Sequence, residues 1–174
     1  MRVLGIDPGL RLTGFGCVDG SSSAMSPPRF VDAGVIRLVS SSGPTPSIQS
    51  RLVELERELA EIVDRNQPDL IAVESLFTHK DHPFTAVLMA HARGVILLVA
   101  QKSGKEIVEL PPADVKRSVT GSGRATKAQM QASATRLLGL AGPPKPADIA
   151  DALCIAIAAR QRALLPSGLT RGRA

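Results

Sequence analysis

Aromatic residues are scarce in this chain, whose 174 residues include four Phe and neither Trp nor Tyr. A core without aromatic rings must be built from Leu, Ile, Val and Ala, which are buried by the hydrophobic effect alone. Because so few aromatic side chains are present, one that lies in a loop, such as Phe77, is more informative than usual.

Cysteine and long apolar runs are also scarce. The two cysteines, Cys17 and Cys154, each lie in an apolar segment, which predicts buried free thiols and gives no sign of a disulfide framework. The most apolar stretch, VILLVA at 95–100, is too short to span a bilayer. The N-terminus has no basic segment followed by an apolar one, so we expect no signal peptide. We therefore expect a cytoplasmic protein.

Positive charge is in excess, with 21 Lys and Arg against 16 Asp and Glu and a net charge of +5. A basic surface favours polyanions such as nucleic acid, because Lys and Arg contact phosphates and release counterions. The apolar fraction of 44% and the charged fraction of 21% are those of an ordinary globular protein. The length predicts a single domain over residues 1–165, followed by a basic and disordered tail, PSGLTRGRA, at 166–174.

The hydrophobic periodicity predicts an α/β protein. Strands are predicted at 2–6, 13–20, 30–38, 70–75 and 105–110. Helices are predicted from near Ser47 to 65, over 83–102, after 111, over 126–140 and over 147–165. Short turns join the first three strands, which favours an antiparallel meander. A whole helix precedes each of the last two strands, which favours parallel crossovers. Together these predict a five-stranded mixed sheet flanked by helices.

Two of the predicted strands end on a single acid. LGID at 4–7 ends on Asp7, and IAVE at 71–74 ends on Glu74. If these strands are parallel in one sheet, both acids lie at the edge where ligands bind in open α/β sheets. Asp148 and Asp151 are three residues apart in the first turn of the last helix, and so lie on one helix face.

Each acid has an ordinary structural alternative: Asp7 could start a turn, Glu74 could be a satisfied strand-end residue, and Asp148 could cap its helix. Together, however, the four acids have no basic neighbours in sequence to offset their repulsion, which predicts a bound cation. Oxygen ligands alone indicate Mg²⁺ or Mn²⁺. Two such ions about 3.5–4 Å apart can activate water and stabilise the leaving oxygen of a phosphodiester.

Several motifs, in order along the chain, resemble those of the RuvC family of Holliday junction resolvases over residues 2–160. They are GIDPGLRLTGFG near the start, VESLF at 73–77, HARGV at 91–95, PADVKRSVTGSGRATKAQM at 112–130 and PADIADALCIAIA at 146–158. The resemblance implies an RNase H-like fold. It also implies a Mg²⁺-dependent endonuclease that resolves four-way DNA junctions in homologous recombination and DNA repair. Paired symmetric nicks would leave 5′-phosphate and 3′-hydroxyl ends.

The resemblance also assigns roles to residues. By position, the resemblance assigns catalysis and the binding of two ions per subunit to four acids, Asp7, Glu74, Asp148 and Asp151. It assigns DNA contacts to Lys116, Lys127 and Phe77. Phe77 would stack on an unpaired base near the crossover. Without the family, both lysines would be solvated surface residues and Phe77 a core residue. The segment that follows Phe77, THKDHPFTA, differs from the family pattern and is one residue longer, so its own DNA contacts, Lys80 included, stay open.

Family members also have protein partners. A junction of approximate two-fold symmetry needs two cuts, which a homodimer supplies. We expect the apolar helix at 84–102 to form the dimer contact through Leu88, Val95 and Val99, the alternative being an ordinary core helix. The resemblance further implies the branch-migration proteins RuvA and RuvB as partners.

Other functions are compatible with parts of the sequence. GIDPG followed by a glycine-rich hairpin resembles the phosphate-binding hairpin of actin-like ATPases, but those proteins need two such domains and this chain has one. A nuclease of the same fold could act on RNA–DNA hybrids or on ordinary duplex. A non-catalytic nucleic-acid-binding module is a third alternative, which the intact set of acids disfavours.

Overall fold

A computed structural model describes residues 1–23, 26–75 and 83–165, with only the backbone described at 83 and 84. In chain order the elements are β1 (Val3–Asp7), β2 (Leu12–Asp19), β3 (Arg29–Arg37), α1 (Ile48–Asn66), β4 (Leu70–Glu74), α2 (Pro83–Lys102), β5 (Glu106–Leu110), α3 (Pro112–Thr120), α4 (Lys127–Leu137) and α5 (Ala147–Leu164). Each strand and helix predicted from the periodicity is present. Phe77 and the predicted tail at 166–174 lie outside the described residues.

The strands form one five-stranded sheet in the order β3-β2-β1-β4-β5. The pairs β1–β2 and β2–β3 are antiparallel, whereas β1–β4 and β4–β5 are parallel. This is the predicted mixed sheet, with the meander on one side and the two crossover strands on the other. The prediction of fold class is confirmed.

The sheet has a hydrophobic core on each face. Strand alternation turns Leu4 and Ile6 of β1 toward α1 and α2, and turns Val3 toward α3, α4 and α5. Gly5 and Asp7 follow Val3 on the α5 face by the same alternation. Both cysteines are buried free thiols, as predicted.

Helix α5 lies directly on β1 and β2 because glycines leave room for its backbone. A Cβ built on Gly5 would be 2.5 Å from the amide nitrogen of Ala156, and one built on Gly16 would be 2.8 Å from that of Leu153. Neither contact could exist with a side chain at the glycine without moving the helix. These glycines therefore fix the height of α5 above the sheet.

Helix α2 packs against α1 and the sheet through Ala92, Ile96 and Val99. Val99 is only 3% exposed and belongs to the core, so the prediction that it contacts a dimer partner is wrong. Leu88 and Val95, predicted for the same contact, also pack against this core. The helix is apolar on nearly every face, so the sequence does not indicate which face packs against the sheet.

The outward side of α2 carries a different apolar stripe, made of Val87, Ala90, Gly94 and Leu98, and these residues are exposed. Val87 is 51% exposed and Leu98 is 49% exposed. We call these four residues the α2 stripe. Among the described residues, no helix is both long enough and apolar enough to cross a membrane.

Candidate active site

Asp7 and Glu74 end two neighbouring parallel strands. Ile6 of β1 pairs with Val73 of β4, so the acid that follows each of them stands beside the other. Glu74 shares the face of Leu70 and Ala72, which pack in the core beneath α5. Both carboxylates therefore emerge at one edge and on one face of the sheet, as the sequence predicted.

Helix α5 brings the other two acids to this edge. Asp7 pairs with Gly14 of β2, and a Cβ on Gly14 would be 2.7 Å from the carbonyl carbon of Asp148. Asp148 therefore lies above the residue next to Asp7. The N-cap of α5 is Pro146, with no side-chain capping bond, so Asp148 is not a helix cap. Asp151 follows one turn later on the same helix face.

The pKa values of three of the acids, Asp7, Glu74 and Asp151, are raised. The pKa of Asp7 rises to about 7, first because the carboxyl is buried and then because Asp151, Glu74 and Asp148 repel its charge. Burial, followed by repulsion from Asp151, also raises the pKa of Glu74. Asp7 thus holds a negative charge at neutral pH only with difficulty unless a cation offsets it.

Burial likewise raises the pKa of Asp151, and Lys127 opposes this shift. The Lys127 ammonium lies 3.7 Å from the Asp151 carboxylate although its side chain is 82% exposed. Lys127 is the first residue of α4, whose start is fixed by a capping box between Thr126 and Gln129. The cap therefore positions a cation at the rim of the acid cluster.

Lys116 of α3 is the second cation near the acids. Its positive charge opposes the rise in the pKa values of Glu74 and Asp151, so this charge reaches the acids. The Lys116 side chain is half-buried. The structure thus places both predicted lysines beside the acids, on the β4–β5 side of the site. Phe77, predicted to stack on a base, lies outside the described residues.

The turn after Asp7 is anchored by two side chains that the sequence analysis missed. The Thr13 hydroxyl donates to the Gly9 carbonyl at 2.6 Å and accepts from the Gly9 amide at 3.3 Å. The buried Arg51 guanidinium of α1 donates to the Leu10 carbonyl at 2.8 Å. A signal was present for Arg51, because it stands four residues before Leu55 on the largely apolar, buried face of its helix.

The donor set at this edge suits a hard divalent cation, since it consists of carboxylate oxygens that repel one another. Among residues 1–23, 26–75 and 83–165, no three His, Cys, Asp or Glu side chains are as close together as the ligands of a bound metal. The acids therefore act on one another electrostatically across the edge without forming a compact cluster of ligands. Carboxylates with nearby lysines fit metal-assisted chemistry on a phosphodiester.

Comparison with known proteins identifies the family. The family model of crossover junction endodeoxyribonuclease RuvC matches residues 3–159. The crossover junction endodeoxyribonuclease RuvC of Caldicellulosiruptor saccharolyticus is 44% identical over 157 residues, which cover 90% of each chain. The corresponding protein of Rhodococcus jostii is 41% identical over 177 residues, covering 100% of this chain and 88% of the relative.

Solved structures agree with the sequence comparison. Thermus thermophilus RuvC superposes with a TM-score of 0.82 at 28% identity, covering 94% of this chain and 95% of that one. The same enzyme in complex with a Holliday junction substrate gives the same TM-score and coverage. With the five-stranded sheet and the acids at its edge, these matches show that the chain belongs to the RuvC family of crossover junction endodeoxyribonucleases.

Proposed function

We propose that this chain cuts four-way DNA junctions by metal-dependent phosphodiester hydrolysis at Asp7, Glu74, Asp148 and Asp151. The observation that carries the proposal is the convergence of these acids at one sheet edge, where burial, followed by repulsion from the other acids, raises the pKa of Asp7 to about 7. Family membership supports the junction as substrate, since a relative has been solved with a Holliday junction. The products would be symmetric nicks with 5′-phosphate and 3′-hydroxyl ends.

Mg²⁺ is the proposed cofactor, with two ions per subunit and Mn²⁺ as a substitute. Such a pair supplies an activated water and neutralises charge on the leaving oxygen. The protein residues have their own tasks. Asp7 and Glu74, on adjacent strands, present carboxylate oxygens from a rigid base, and Asp148 and Asp151 present theirs from the helix above it.

Lys116 and Lys127 are the proposed DNA contacts beside these acids. The Lys127 side chain is 82% exposed, so it can turn from Asp151 toward a phosphate. An ammonium there offsets negative charge that builds up on the scissile phosphate in the transition state. Phe77 remains a proposed stacking residue on the strength of the family motif.

A homodimer is part of the proposal because a resolvase must make two symmetric cuts. The α2 stripe is the proposed dimer contact: Val87 and Leu98 are about half exposed, and Ala90 and Gly94 between them would let a second helix approach closely. RuvA and RuvB are proposed as further partners, by family resemblance. A cytoplasmic location and a single domain with a basic tail at 166–174 also remain proposals.

The test is a synthetic junction with separately labelled arms. We expect paired nicks at symmetric positions with Mg²⁺, none with a chelator, and little cutting of linear duplex. Removing one ligand charge should cost several kcal/mol of transition-state stabilisation, hence at least about 100-fold in rate. Asp7→Asn should therefore bind the junction but nick it at least about 100-fold more slowly.

Asp64→Asn is the matched control, because Asp64 is an exposed acid on α1 whose loss leaves the site intact. Equal nicking by Asp7→Asn and Asp64→Asn would remove Asp7 from the proposed site. Equal cutting of linear duplex and junction by the wild type would instead favour a general nuclease of this fold.

A further inference from the structure

Arg37 is an exposed cation at the same sheet edge as the proposed site, on the side away from the lysines. It ends β3 and pairs with Leu12, the first residue of β2. The residue before it, Ile36, is buried in the core beneath α1 and α2. Because side chains alternate along a strand, Arg37 turns to the opposite face, which is the face of Asp7 and α5.

The register of the sheet gives the distance from Arg37 to the acids. Asp7, Gly14 and Val35 form one row across β1, β2 and β3. Arg37 stands two residues beyond this row and two strands to the side. With strands about 4.8 Å apart and a rise of about 3.3 Å per residue, its Cα lies about 12 Å from that of Asp7.

The charges around the acids are therefore arranged on two flanks. Lys116 and Lys127 lie on the β4–β5 side, where they act on Glu74 and Asp151. Arg37 lies on the β3 side, and within the described ranges its guanidinium forms no hydrogen bond or ion pair. An exposed guanidinium without a carboxylate partner is suited to binding phosphate.

From this arrangement we propose that Arg37 binds a backbone phosphate of the cut strand, about two nucleotides from the scissile one, because successive phosphates of one strand are about 6–7 Å apart. The cut strand then crosses the sheet edge from α3 and α4, over the acids, toward β3. This inference rests on the proposed junction nuclease function. It adds the path of the strand and a phosphate contact on the flank opposite Lys116 and Lys127.

The salt dependence of junction binding tests the contact, measured by fluorescence anisotropy with the full chain in a chelator. One lost phosphate contact reduces the slope of log K against log salt by about 0.9 on duplex, or about 0.7 on single strand. Arg37→Gln should show this reduction, and Arg37→Lys should restore most of the slope. Arg29→Gln is the matched control, because Arg29 is exposed at the opposite end of the same strand.

The position of the contact is tested with junctions that carry one uncharged methylphosphonate at successive positions along the cut strand. The wild type should lose affinity when the replacement lies about two nucleotides from the cut. The same replacement should cause no further loss of affinity in Arg37→Gln, which already lacks the contact. Arg37→Gln with the slope and the methylphosphonate profile of Arg29→Gln would overturn the inference. Failure of the wild type to bind or cut junctions would instead overturn the proposed function itself.

Discussion

The carbonyl group of Asp148 occupies the space in which a side chain on Gly14 would stand. A Cβ there would be 2.7 Å from the Asp148 carbonyl carbon and 3.2 Å from the Asp148 Cβ. Because Gly14 is also the partner of Asp7 across the sheet, one missing side chain sets the spacing between the strand acid and the helix acid. The site thus depends on a residue with no functional group of its own.

Gly14→Ala should therefore impair nicking as well as stability. The methyl group must push the first turn of α5 off the sheet, which we expect to cost about 1–3 kcal/mol as overpacking and to move Asp148 away from Asp7. Thermal denaturation and junction cleavage, measured well below the melting temperature, check both effects. Gly142→Ala is the control, since a Cβ at Gly142 meets nothing within 4 Å. Equal cleavage by the two variants would show that Gly14 does not set the site.

The stability of the metal-free protein should fall as pH rises from about 4 to about 7. The pKa of Asp7 is raised from 3.8 to about 7, so in this range the folded state holds a proton that the unfolded state has released. The contribution of Asp7 is fully present below pH 3.8 and is lost as pH rises through 7. Urea unfolding in a chelator at pH 5 and pH 8 measures the effect.

Other acids titrate too, so the comparison should be the difference between wild type and Asp7→Asn. The pKa values of Asp19 and Asp32 are lowered, which acts with the opposite sign, and both contributions cancel in that difference. Adding Mg²⁺ should stabilise the wild type more at pH 8 than at pH 5, because the cation competes with the proton for the same carboxylate. A pH-independent difference would contradict the raised pKa of Asp7.

Thr13→Val should raise the Mg²⁺ concentration needed for half-maximal nicking. The substitution keeps the shape of a fully buried side chain but leaves the Gly9 amide and carbonyl without their hydroxyl partner, at a cost of about 1–3 kcal/mol. We expect the turn after Asp7 to loosen while junction binding in a chelator stays unchanged.

Thr135→Val is the matched control, because the Thr135 hydroxyl also bonds a carbonyl, that of Gln131, at 2.8 Å. Titration of Mg²⁺ in the nicking assay separates the two variants. The same Mg²⁺ requirement in both would mean that Thr13 contributes to general stability alone.

Leu98→Glu should convert the proposed dimer to monomers. It puts an unpaired charge into the proposed α2 interface, which costs several kcal/mol and hence weakens the dimer by about 100-fold or more. Light scattering after size exclusion should show the loss of the dimer, and single nicks should replace paired ones. Val53→Glu is the control on α1, where Val53 is 69% exposed. Were Leu98→Glu still a dimer, the α2 stripe would not be the interface.

Local sequence patterns were sufficient to predict the sheet and the positions of the four acids. Asp7 and Glu74 each end a short apolar strand, and the spacing of Asp148 and Asp151 fixes one helix face whatever surrounds it. These relationships involve only neighbours along the chain, with periods of two or about four residues. The whole-helix crossovers then determined which strands are parallel.

Relationships between distant residues could not be predicted in this way. Leu98 and Val99 are adjacent and both apolar, yet Leu98 is half exposed and Val99 is buried. The sequence does not show which of the two faces solvent, because α2 has no polar face to mark its orientation. The contact of Arg51 with the Leu10 carbonyl joins residues 41 positions apart. Only the packing of α1 beneath the sheet brings them together.

The location of Asp7 and Glu74 on β1 and β4 has a consequence for how the enzyme loses activity when it unfolds. Both strands are paired on each side, β1 by β2 and β4, and β4 by β1 and β5. Their backbone amides should consequently be among the last in the molecule to exchange with deuterium, opening only when the whole domain does. Partial melting at the periphery would leave Asp7 and Glu74 in place, so heat or denaturant should displace these two acids only when the whole sheet unfolds.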